Sequence, residues 1–172
     1  FNGTIYPTIY DKSQTLYTLG QDNNSFPYPF ELRNNIIYKG TANVRKGKFE
    51  FTFIVPKDIA YSFGNGKISM YAENGEIDAA GYNNEIIIGG FDELASEDYQ
   101  GPEIELYINN SNFVDGGTTD ENPVLLAYVS DDYGINTTGN GIGHDISATL
   151  DGNPNEVKIL NDYYIADANS YK

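Results

Sequence analysis

An eight-residue run of strict alternation constrains the fold of this chain more tightly than anything else in it. Residues 48–55 read KFEFTFIV: Phe49, Phe51, Phe53 and Val55 take every second position, with Lys48, Glu50, Thr52 and Ile54 between them. Successive side chains of an extended chain point to opposite faces, so the run predicts a strand with one aromatic face buried. Residues 37–44 alternate as well, and Arg45-Lys46-Gly47 is a short, glycine-containing connection between the two runs. Residues 36–56 are therefore expected to form an antiparallel hairpin. A lone hairpin does not stand in water, and its phenylalanine face calls for a second sheet. The chain is expected to be all-β.

The rest of the sequence agrees with that class. Short apolar runs recur between turn signals, and no helical period extends beyond two turns. Residues 5–10 suit a strand that Pro7 restricts to an edge or a bulge, because proline cannot donate to a ladder. Residues 22–29 read as a polar loop, Gly64-Asn65-Gly66 and Asn74-Gly75 as tight turns, and residues 79–84 as a loop. Between the turns, residues 67–73 alternate, with Ile68, Met70 and Ala72 on one face and Ser69, Tyr71 and Glu73 on the other. Residues 85–88 form a short apolar strand. Further on, strands are expected at residues 103–108, 123–129, 144–150, 156–160 and 163–165.

Charge divides the chain. Residues 1–90 carry nine acidic and eight basic side chains; residues 91–172 carry sixteen acidic side chains and only Lys158 and Lys172 as bases. Such asymmetry predicts two immunoglobulin-like β-sandwich units, one over 1–90 and an acidic one over 102–172, joined by an acidic linker over 91–101. About five strands in the second unit fall short of the roughly seven of an immunoglobulin-like domain, so that unit reads as truncated. Phosphate backbones repel this surface, which excludes nucleic acid as a partner, and anionic membrane is disfavoured likewise. No apolar run approaches membrane-spanning length.

Little in the sequence supports catalysis. There is no cysteine, and His144 is the single histidine. Asp145 adjoins it, but neighbours in a strand face opposite ways, so Asp145 cannot orient the ring as a triad requires. One imidazole also falls short of a zinc site. Calcium needs only oxygens, and Asp131, Asp132 and Asp145 form one candidate group of ligands, with Asp115, Asp120 and Glu121 as a second. Neither follows the EF-hand spacing. Residues 139–143 (GNGIG) lack the lysine and the strand–turn–helix setting of a phosphate loop. No catalytic or cofactor-binding residues are assigned. The 15 tyrosines leave sugar stacking open as a rival, that of a surface adhesin or carbohydrate-binding module of a gut bacterium.

Longer stretches carry a resemblance. Residues 102–151, with FVDGGTT and GINTTGNGIGHDI, and residues 38–81, with FIVPKDI and GNGKISMYA, are similar to the PorU family. These are gingipain-type cysteine peptidases that serve as sortases of the type IX secretion system in Bacteroidetes, and the match lies in their C-terminal β-rich region. The resemblance implies a non-catalytic fragment of an exported cell-surface enzyme, since no catalytic cysteine or histidine of the family can be carried over. The implied partners are the peptidase domain of the same parent chain, secretion-system proteins or secreted cargo.

Overall fold

The structure, a computed structural model, describes residues 1–57, 59–138, 145–168 and 170. Its strands are β1 (Gly3–Tyr10), β2 (Gln14–Tyr17), β3 (Pro29–Leu32), β4 (Ile36–Lys39), β5 (Ala42–Val44), β6 (Gly64–Asn65), β7 (Lys67–Glu73), β8 (Asp78–Asn83), β9 (Ile87–Ile88), β10 (Glu103–Ile108), β11 (Leu125–Ser130), β12 (Ser147–Thr149) and β13 (Val157–Ile159). Two short 3-10 turns, Leu150–Gly152 and Asn161–Tyr163, complete the elements. The protein is all-β, and its strands pair antiparallel.

β1 is the spine of the largest sheet. It pairs with β4 and β5 along one edge and with β7 along the other, and β7 in turn pairs with β8. Ile5, Pro7 and Ile9 are buried while Tyr6 faces solvent, as a period of two requires. Pro7 thus sits in a central strand, not at an edge as its missing N–H predicts. The neighbouring strand explains how. The Pro7 carbonyl accepts the Gly40 N–H at 3.2 Å, which places both polar backbone positions of Pro7 opposite the break between β4 and β5. No ladder hydrogen bond is demanded of the proline there.

The hairpin forms at its tip and then departs from expectation. Lys46 and Gly47 both have positive φ (52° and 77°), the pair needed for a type I′ turn, and Arg45 and Lys48 exchange backbone hydrogen bonds at 2.9 and 3.0 Å. Beyond Lys48, among the described residues, residues 49–55 join no ladder. Phe51 and Phe53 stack on Tyr38 with ring centroids 5.7 and 5.1 Å away. Phe51 packs against both buried clusters, Ile9/Ile37/Tyr38/Ala166 and Ile5/Ala42/Val44. The alternation therefore marked Phe51 and Phe53 correctly as facing the core, whereas Phe49 and Val55 at the ends of the run are exposed, and the segment closes onto the large sheet as an irregular cover.

Two further turns and loops differ. Gly64 and Asn65 form β6 and pair with β9, and residues expected as a loop form β8. β8 reads DAAGYN, without apolar alternation, because it is an exposed edge whose order comes from pairing with β7. Asn74-Gly75 is a turn as expected, with Gly75 at φ 84° and the Asn74 carboxamide oxygen accepting the Glu76 and Ile77 N–H groups.

In the acidic half, β10 and β11 pair in one hairpin and β12 with β13 in another. The last expected strand is a 3-10 turn over Asn161–Tyr163, followed by one bridge. There Ala166 donates its N–H to the Lys39 carbonyl at 2.9 Å and accepts the Thr41 N–H at 3.2 Å. Ala166 is buried in the cluster with Ile9, Ile37 and Tyr38, so the C-terminal part of the chain completes the core of the first sheet.

Candidate functional site

Three polar arrangements stand out. The first is the outer face of the large sheet. Cross-strand register sets residues in rows: Thr4, Glu73 and Asp78; Tyr6, Tyr71 and Ala80; Thr8, Ser69 and Tyr82. The Tyr6 hydroxyl donates to Glu73 Oε1 at 3.2 Å and the Tyr71 hydroxyl donates to Asp78 Oδ2 at 3.1 Å. Their rings lie 6.2 Å apart, tilted by 31°. Lys67 Nζ stands 5.5 Å from the centre of the Tyr82 ring. Partial desolvation, then the Glu73 carboxylate, holds the Tyr6 phenol above the ordinary tyrosine range; the bond to Asp78 does so first for Tyr71.

The second is a wide cleft of about 540 Å³ where Asp98, Glu103, Asp131 and Asp132 come to one rim. Asp131 is committed to its own turn: Oδ1 accepts the Tyr133 N–H at 2.7 Å, and its carbonyl accepts that of Gly134 at 3.1 Å. The third is a separate cleft of about 280 Å³ lined by Asn35, Lys39, Thr137, Asp145 and Asn161. The structure thus brings Asp131 and Asp132 together and places Asp145 elsewhere. Asp120 of the other candidate group accepts the Asn109 side-chain amide at 3.3 Å and the Asn122 N–H at 3.0 Å. Among the described residues, no three histidine, cysteine or acidic side chains gather as a metal would need. His144 lies outside the described residues, as do residues 139–143.

One polar group was missed in the sequence. Asp11 is buried and pairs with Lys12 at 2.7 Å, and the Lys12 ammonium also donates to the Ala60 carbonyl at 2.9 Å. This clasp ties the end of β1 to a distant loop. An Asp-Lys dipeptide gives no hint of burial, since both residues are usually solvated.

Apolar surface is as informative as the polar sites. On β10 and β11, Ile104 faces Val129, Leu106 faces Ala127 and Ile108 faces Leu125, a single apolar face. Ile104 and Leu106 are 59% and 61% exposed on it. Val157 and Ile159 of β13 are about half exposed. A groove of about 490 Å³ runs beside Val55, Pro56, Tyr61, Phe63 and Phe91.

These features define an all-β segment of antiparallel sheets with open faces and no gathered catalytic constellation among its described residues. Its fold is similar to dimeric latent PorU from Porphyromonas gingivalis: 34% identity over 98% of this chain and 16% of that one, with a TM-score of 0.52. The chain is a PorU-like segment, as the motifs of residues 38–81 and 102–151 imply. It spans 16% of the length of the PorU chain it matches. No protein-family model and no curated protein matches it.

Proposed function

We propose that this chain is a non-catalytic β segment of a PorU-like cell-surface cysteine peptidase, with a structural or docking role. Its partners are the peptidase domain of the parent chain, secretion-system proteins of the type IX pathway, or secreted cargo. The supporting observation is surface. The chain exposes 12736 Å², whereas a compact monomer of its 19.1 kDa shows about 8,400 Å². The excess of roughly 4,000 Å² is several times the 800 Å² or so that one partner buries in a standard interface. Exposed apolar side chains contribute to it, Ile104, Leu106, Val157 and Ile159 on the hairpin faces and Phe63 and Phe91 in the groove, and contiguous open apolar faces mark surfaces that meet other protein.

In this reading the units 1–90 and 102–172 are immunoglobulin-like, joined near 91–101 and sharing the core seam at Ala166. The parent is exported, and the acidic second unit suits a basic partner face through complementary steering. The test mixes the purified chain with a PorU-like peptidase from which the equivalent segment has been deleted. The expected result is a stable complex by calorimetry, loss of the isolated chain's binding to an apolar-surface dye, and no turnover of peptides or glycosides by the chain alone. A chain that binds no dye and forms no complex would sink the reading, as would turnover abolished by one carboxylate substitution.

A further inference from the structure

We propose that the outer face of β1, β7 and β8 is a docking surface for a cationic extended segment, which lays arginine or lysine side chains over Tyr6 and Tyr71 and against Glu73 and Asp78. The proposal stands apart from the PorU reading, because it rests on the register and side chains of this sheet alone.

The arrangement is charged in a way the fold does not itself neutralise. Glu73 and Asp78 are direct cross-strand partners, and like charges directly opposite one another are destabilising. Among the described residues neither carboxylate forms an ion pair; that between Asp11 and Lys12 is elsewhere. Their relief inside the chain is neutral: the Tyr6 and Tyr71 hydroxyls donate to them, and the Gly75 N–H reaches Glu73 Oε2 at 2.7 Å. These bonds leave acceptor lone pairs on Asp78 and Glu73 while consuming both phenol donors. A ligand for the central rows must therefore donate hydrogen bonds, and positive charge is what two unpaired carboxylates attract most strongly.

The tyrosines supply the rest. Because their hydroxyls are tethered, the rings are held side by side, and Tyr6 and Tyr71 remain 38% and 44% exposed. A cation over an aromatic face is attracted by the ring quadrupole. The same face already does this once, with Lys67 over Tyr82. An arginine suits Tyr71 best, since a planar guanidinium stacks on the ring while its N–H fork reaches a carboxylate. Geometry favours an extended ligand. The outward residues of β7, namely Lys67, Ser69, Tyr71 and Glu73, repeat every second position, and alternate side chains of an extended peptide share that repeat.

The experiment uses the whole chain and a fluorescent, capped Arg-Gly-Arg-Gly-Arg peptide, followed by anisotropy at physiological salt. Saturable binding is expected, weakened about tenfold or more by E73Q/D78N and by Y71A and retained in Y71F, because the ring and the carboxylates act together. The control D92N/E93Q removes the same charge from the acidic connecting segment and should cost less than about twofold, as a screened remote charge does. Melting of each variant guards against misfolding, and E73Q/D78N, which keeps the size and shape of both side chains, suffices if Y71A unfolds. Equal losses in E73Q/D78N and the control would reduce the effect to net charge and overturn the proposal. So would absence of saturable binding, or displacement of the peptide by a neutral oligosaccharide, which would make the face a sugar platform.

Discussion

The large sheet and the distal hairpins are made alike and end differently. Both are antiparallel, and both alternate apolar with polar side chains. In the large sheet the apolar face is closed by the chain itself: Phe51 and Phe53 lie over it, and Ala166 enters from the far end of the sequence. In β10–β11 the matching face of Ile104 and Leu106 stays open. Strand pairing is thus not what separates a stable part of a β protein from a dependent one. Coverage is, because burial and not the ladder supplies most of the net stabilisation.

The comparison breaks most sharply by mutation. Ile9→Ala, at a fully buried site, should cost about 2–5 kcal/mol, whereas Leu106→Ala should cost less than about 1 kcal/mol in the isolated chain. Denaturant melts of the two variants decide it; comparable losses would mean that the β10–β11 face is covered after all. In a complex with its partner, Leu106→Ala should instead weaken binding.

Alkali sharpens the same contrast by a smaller effect. Burial raises the Tyr38 and Tyr164 phenols above the usual tyrosine range. Unfolded phenols ionise near pH 10 or so, before the folded ones, so the folded state binds more protons and stability falls as pH rises from there through the raised folded values. Below that window these groups contribute no pH dependence. Melting temperature against pH should drop on the alkaline side, and less steeply in Tyr38→Phe; an unchanged slope would locate the sensitivity outside the core.

The smallest effect concerns calcium. With Asp131 and Asp132 in one cleft and Asp145 in another, the three candidate ligands do not converge on one ion, so chelator should shift the melting temperature by less than about 1 °C. A larger shift, lost in D131N/D132N, would restore the metal to the acidic cleft.

Where the sequence was legible, a local signal and a tertiary outcome agreed. The strand at residues 67–73 and that at 103–108 match β7 and β10 residue for residue, because each alternates and is bounded by turn or proline signals. The inward facing of Phe51 and Phe53 was legible in the period of residues 48–55, but not what they pack on, nor that Phe49 and Val55 stay exposed. β8 was illegible, since Ala79, Ala80 and Gly81 show no pattern of their own. Half of the tyrosine face was visible as Ser69, Tyr71 and Glu73; that Tyr6 lies beside Tyr71 is a matter of register between distant strands.

Two-residue periodicity decided the class of the fold and which side of each strand is apolar, for it is a property of single strands and of the transfer of side chains from water. Which strand lies beside which, how Pro7 comes to sit mid-sheet, and whether an apolar face is closed or open depend on contacts between residues far apart in the chain. Those contacts carry no local pattern, and only the folded chain decides them.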